Sequence, residues 1–163
     1  MENTENKNII DYKVKRTRYY LGDSEQFIEI DEGDMNMPIR IQQMKKDIDE
    51  YIDSLKTKYG INDIDDLGSI KTGDVDEEIQ VFVETDNFIK DKFNYAFDYD
   101  VSAAAFGNAS SLSVTEKGEY YFESFFNAVV PVIEKTFDTR IDKLGVRVKK
   151  YTDRKGMHPA LKK

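Results

Sequence analysis

The chain has no cysteine, no tryptophan, a single histidine and only three prolines. Without thiols it can hold no disulfide, iron–sulfur cluster, thiolate zinc site or cysteine nucleophile. One imidazole cannot build a His-rich metal centre within a single chain. Long apolar runs are missing as well: no stretch approaches the roughly 18 residues that a bilayer crossing requires. The N-terminus MENTENKN lacks the basic and then apolar order of a secretory leader, so neither a membrane span nor Sec-dependent secretion is expected. What remains is 163 residues, the size of one ordinary domain, 39% hydrophobic and 34% charged. Ten Phe and ten Tyr supply the core material of so polar a chain, because aromatics bury more area apiece than aliphatic residues. Composition therefore points to an acidic, globular, cytoplasmic protein.

Charge is distributed unevenly. The formal net charge is −8, yet the last 18 residues carry Arg147, Lys149, Lys150, Arg154, Lys155, Lys162 and Lys163 against one acid, Asp153. The preceding 145 residues hold 17 basic and 31 acidic side chains. An acidic body repels nucleic-acid backbones and anionic lipid, which argues against a broad DNA-binding face. The basic tail is either a solvated, solubilising extension or a docking element for an acidic partner or a neighbouring copy.

The pattern along the chain predicts an α+β domain, mainly helical, with an N-terminal antiparallel β-hairpin packed on three or four helices and a flexible basic C-terminal tail. Residues 1–11 are polar and expected to be disordered, 12–145 form the single domain, and 146–163 are the tail. From Tyr12, alternation through Val14, Arg16, Arg18 and Tyr20 predicts a first strand of about six to nine residues. Gly22-Asp23-Ser24 is turn chemistry, and Gln26–Ile30 reads as the second strand. An isolated hairpin is marginal in water, so its apolar face should pack on helices.

Pro38 suits a first helical turn, and Ile41, Met44, Ile48, Tyr51, Ile52, Leu55 and Tyr59 recur at helical steps up to a C-cap at Gly60. Residues 61–74 read as an irregular connection with one helical turn. Asp74 with Glu77 resembles a capping pair for a second helix, apolar on two sides, although Val81-Phe82-Val83 leaves a strand open as the alternative. Gly107-Asn108 marks a turn, and 110–118 a polar loop. A last long helix starts near Glu119, with a kink or break expected at Pro131 and a C-cap at Gly145.

Chemistry-bearing constellations are scarce. Asp47, Asp49, Glu50 and Asp53 lie among Lys45, Lys46 and Lys56 on the polar face of a helix, which reads as a solvated surface. Asp98 and Asp100 suit helix termination and turns. Asp63, Asp65, Gly68 and Asp74 match four positions of a calcium loop, but Leu67 stands where an oxygen ligand belongs and Asp74 is short for a bidentate Glu. No phosphate loop, dinucleotide fingerprint or GxSxG elbow is present, and His158 has neither acid nor nucleophile beside it. The expected catalytic, cofactor and metal residues are accordingly none. The conspicuous excess is aromatic: Tyr120, Tyr121, Phe122, Phe125, Phe126 and Phe137 exceed the needs of one stripe of a small helix. They serve an internal core, a protein-binding face, or both along one helix.

The order of short motifs carries a resemblance. Asn36-Met37-Pro38-Ile39-Arg40-Ile41 precedes the first helix; Phe93-Asn94-Tyr95-Ala96-Phe97 and Ala105-Phe106-Gly107-Asn108 follow; then come Tyr121-Phe122-Glu123-Ser124-Phe125, Val130-Pro131-Val132-Ile133 and Lys150-Tyr151-Thr152-Asp153-Arg154. This arrangement, spread over residues 12–155, resembles the small tail assembly chaperones of long-tailed bacteriophages and prophages of Gram-positive bacteria. The chain departs from that pattern at Asp153, where Asn is usual, and at Gly156-Met157-His158-Pro159, which interrupts a run of Arg and Ala.

The resemblance implies a non-enzymatic protein of the host bacterial cytoplasm that coats the phage tape-measure protein and helps recruit tail-tube subunits. A further copy of the chain is an additional candidate partner; direct nucleic-acid and membrane binding are not expected. It also implies partner contacts at Phe106, Phe122, Phe125 and Phe126, and polar contacts at Arg147, Lys149, Lys150 and Arg154. Two alternatives stay open: an acidic phage inhibitor of a host nucleic-acid-binding or defence protein, and a structural tail completion or connector protein.

Overall fold

A computed structural model describes residues 7–155, with side chains described up to Asp138. The chain runs β1 (Arg16–Tyr20), β2 (Phe27–Asp31), α1 (Met37–Tyr59), a short 3-10 helix (Ile64–Ser69), α2 (Val75–Phe97), α3 (Val101–Phe106) and α4 (Tyr121–Lys155). It is mainly helical, with a two-stranded hairpin at its N-terminal end.

The hairpin is antiparallel, pairing Arg16 with Asp31 and Tyr20 with Phe27. β1 begins four residues later than alternation predicts. The reason lies in its partner: after Glu32, whose N–H still donates to the Lys15 carbonyl, the chain turns, with Gly33 N–H donating to Asp31 Oδ1 and Asn36 N–H to Asp34 Oδ1, so no strand remains to pair residues 12–14. Ile28 and Ile30 are buried and face the helices, while Glu29 N–H donates to the Tyr99 hydroxyl at 2.9 Å, fixing β2 against the α2–α3 connection.

α1 and α2 pack antiparallel, as three pairs of contacts show. Arg40, at the start of α1, donates to the Ala96 carbonyl near the end of α2; Asp47 meets Lys92 at 2.9 Å; Tyr51 stacks on Phe88 with ring centres 4.2 Å apart. α1 keeps its predicted end, because Gly60 takes the left-handed conformation (φ 69°) and its N–H closes on Lys56 O. α2 opens at Asp74, whose carboxylate accepts from the N–H groups of Asp76 and Glu77, and it is helical through Val81-Phe82-Val83, which removes the strand alternative.

A break at Pro131 and a C-cap at Gly145 are both corrected. The helix is unbroken at Pro131 and passes through Gly145 to Lys155, so Gly145 is no C-cap and the first ten residues of the basic segment 146–163 are helical. Pro131 offers no N–H to the Asn127 carbonyl, but both residues are exposed, so water can take that acceptor and the helix survives. One contiguous cluster of buried apolar side chains runs from Ile28 and Ile30 through Met44, Ile89 and Phe93 to Ile133 and Phe137. His158 and the rest of 156–163 lie outside the described residues.

Candidate binding groove

Helix α4 is held at its start by a chain of polar contacts that begins on α2. Asp86 Oδ1 accepts from both the N–H and the hydroxyl of Ser111, each at 2.7 Å, and Lys90 pairs with the other carboxylate oxygen at 3.1 Å. Ser111 is fully buried, and its carbonyl accepts the Phe122 N–H at 3.0 Å. Ser113 O accepts the Tyr121 N–H at 2.7 Å. The first N–H groups of a helix have no partner within it, so this loop closes the end of α4 as a side-chain cap would. Burial works against the charge of Asp86, but the Ser111 hydroxyl and N–H and the Lys90 ammonium outweigh it and hold its carboxyl below the usual range. The 110–118 loop, read from sequence as merely polar, is thus the strut that sets α4.

Fixed this way, α4 and α1 flank a groove of about 170 Å³. Met44 and Ile48 from α1, Phe93 from α2 and Phe122 from α4 form its buried floor, and the half-buried Phe126 forms a wall. Lys45 and Asp49 line one rim, Glu123 and Asn127 the other. Each pair is spaced i, i+4, so each helix offers one apolar and one polar line to the same groove.

The α4 rim carries one carboxylate, Glu123, and further acids stand near it. Glu123 has its carboxyl pushed above its ordinary value, first by burial and then by Asp65, Asp63 and Glu119. The Tyr120 hydroxyl is raised too, by burial and then by Asp65, Glu123, Asp63 and Asp66, while it donates to the Ile64 carbonyl at 3.0 Å. Two aspartates of the calcium-like segment, Asp63 and Asp74, are engaged in backbone capping. Asp63 and Asp66 form a reciprocal capping box on the 3-10 helix, and Asp74 caps α2. Asp98, with φ 60°, ends α2, and Asp100 accepts from Ala103 N–H to start α3.

The residues singled out from sequence divide into three groups. Phe122 and Phe126 meet in the groove. Phe125 and Phe106 turn into the interior, where Phe125 lies 5.5 Å from Phe93, 6.0 Å from Phe97 and 5.9 Å from Phe106, ring centre to ring centre. Their aromatic bodies hold α2, α3 and α4 together. Arg147, Lys149, Lys150 and Arg154 lie on the α4 backbone, but their side chains are outside the described residues. Sequence reasoning missed Met44, Lys45, Ile48, Asp49, Phe93, Glu123 and Asn127 as groove residues. The i, i+4 pairs were visible; that residues of α1, α2 and α4 meet around one groove was not. Comparison with family models, with curated proteins and with solved structures gave no match to this chain.

Proposed function

We propose that this protein is a non-enzymatic phage tail assembly chaperone that works in the host bacterial cytoplasm, binds the tape-measure protein and helps recruit tail-tube subunits. The observation that carries the reading is the small apolar groove between α1 and α4, floored by Met44, Ile48, Phe93 and Phe122 and walled by Phe126, which takes an apolar side chain of a partner helix. A long helical client has an apolar stripe that must stay covered until assembly, and laying an amphipathic helix into an apolar groove is a general way to cover it. The acidic rim at Glu123, reinforced by Asp63, Asp65 and Glu119, selects client helices with basic residues beside that stripe. The order of motifs along the chain supports the same reading.

Co-expression with the tape-measure and tail-tube proteins of the same phage tests it. A soluble complex that retains the tape-measure protein on sizing supports the reading, and loss of that complex on Phe126→Asp, with the fold intact, assigns it to the groove. Failure to retain either protein sinks it. Phe122 is unsuitable for the test because it is buried, and a charge there would unfold the domain.

One observation favours a second reading. The carboxylates of Asp63, Asp65, Asp66, Glu119 and Glu123 act together on one end of the molecule, as an inhibitor that imitates a nucleic-acid backbone requires. Such an inhibitor would bind a basic host protein and release it steeply with salt.

A further inference from the structure

The side chains on the floor of the α1–α4 groove consist of carbon and sulfur alone. Met44, Ile48, Phe93 and Phe122 are all buried there, and none of them carries a side-chain nitrogen or oxygen. The polar side chains of the lining stand at the mouth. Lys45 and Asp49 are exposed on α1, and on α4 Asn127 is exposed and Glu123 half-buried.

Size narrows the occupant. At about 170 Å³ the groove is too small to admit a helix, and it is close to the roughly 150 Å³ of an apolar protein cavity that takes up one benzene. A ring that enters meets other rings, because Phe93, Phe122 and Phe126 share the lining, with the Met44 thioether beside them. Aromatic side chains favour offset and edge-to-face contacts with one another, and a thioether packs well at a ring edge. An aliphatic side chain of the same area has the burial without those contacts.

Direction of entry narrows it again. A side chain presented by a partner arrives tip first, since its Cβ stays joined to a backbone outside the mouth. A phenylalanine then sets only carbon on the floor. A tyrosine sets its hydroxyl there, among side chains that offer it no oxygen or nitrogen, and a hydroxyl buried in that way gives up its bonds to water without replacement.

We propose that the groove is a receptor for a single phenylalanine of the partner helix and rejects tyrosine in its place. Glu123 at the mouth, with Asp63, Asp65 and Glu119 near it, favours basic residues beside that phenylalanine. The inference deepens the reading of the groove as a docking site for a partner helix and rests on it, whichever protein supplies the helix.

The test uses the full chain with 13C-methyl methionine, in which Met44 is one of five methionines. The probes are helical peptides of alanine and lysine, about 20 residues long, that differ only in carrying phenylalanine, tyrosine, leucine or alanine at one central position. A ring seated on the floor moves the Met44 methyl signal by its ring current, so the spectrum reports both the place and the kind of occupant. The phenylalanine peptide should shift that signal, and the shift should be lost in the Phe126→Asp protein with unchanged circular dichroism. The tyrosine peptide should bind at least about tenfold more weakly and the leucine peptide about threefold more weakly, and the alanine peptide should leave the signal in place. Equal binding of the phenylalanine and tyrosine peptides overturns the proposal, as does a leucine peptide that matches phenylalanine, or a Met44 signal that no peptide moves. Each of these results leaves the chaperone reading standing if co-expression still yields a tape-measure complex. Absence of that complex sinks the chaperone reading, while a Met44 shift selective for phenylalanine upholds the receptor.

Discussion

Truncating Phe125 to alanine distinguishes an aromatic that builds the fold from one that recruits a partner. The ring lies within 6.0 Å of Phe93, Phe97 and Phe106, centre to centre, where α2, α3 and α4 meet. Removing a buried Phe from such a cluster costs about 3–5 kcal/mol, as lost transfer energy plus the cavity left behind. Phe125 keeps some exposure, so the expected loss is at the lower end, about 3 kcal/mol. For a chain of this length that corresponds to a fall in Tm of about 6–12 °C. Phe126, one helical step further on, has a face open to the groove, and Phe126→Ala should cost only about 1 kcal/mol. Urea titration and thermal melting by circular dichroism measure both variants. The reasoning is refuted if Phe125→Ala proves as mild as Phe126→Ala, or if it removes client binding while leaving stability unchanged.

Asp86→Ala leaves the buried Ser111 hydroxyl and N–H without their acceptor and frees the strut beneath α4; a loss of about 2–3 kcal/mol is expected in the same titrations. The carboxyls of Asp86 and Asp34 are both depressed in the folded state: burial opposes their charge, and Ser111 with Lys90, or Arg40, outweighs it. Their contribution is therefore present above the ordinary Asp range and is lost as pH falls through the lowered values, so the wild-type and Asp86→Ala melting curves should converge in acid. Glu123 has the opposite sign. Its raised folded-state value means that ionisation at neutral pH opposes folding, so Glu123→Gln should raise Tm at pH 7, with the gain vanishing as pH drops below the ordinary Glu value. Gly60→Ala forces a Cβ into a left-handed C-cap and should cost about 1 kcal/mol by denaturant unfolding, although no atom lies within 4 Å of the new methyl.

The parts of the fold visible from sequence are those set by local rules. Gly60 ends α1 and Asp74 starts α2, because capping depends on a few neighbouring residues; that Asp100, read as a helix-ending or turn residue, opens α3 was not visible. Strand length was not visible, since Tyr12 and Val14 alternate well but β2 offers them no partner. Local signals also overstate breaks: neither Pro131 nor Gly145 interrupts α4.

The aromatic excess was legible and its division was not. Phe122, Phe125 and Phe126 are separated by fractions of a turn, and whether each meets a neighbouring helix or open space depends on the distance between α1 and α4. Where α4 starts against α2 is set by the Asp86–Ser111–Phe122 connection, whose members are far apart in sequence. No periodicity encodes it. The same limit applies to α2, whose two apolar sides are evident in the sequence. That the side carrying Val75, Ile79 and Phe82 is open over the first half and buried at Ile89 and Phe93 over the later turns is a property of the packing alone.

The central claim is that the groove between α1 and α4 receives a helix of the tape-measure protein. A photo-crosslinking benzoylphenylalanine placed at position 126, in protein co-expressed with its tape-measure and tail-tube partners, reads that contact directly. The account predicts a crosslink from position 126 to the tape-measure protein, and none from the same group at exposed position 58, in the last turn of α1. Crosslinks to the tape-measure protein from position 58 but not from 126 would contradict it, as would no crosslink from either.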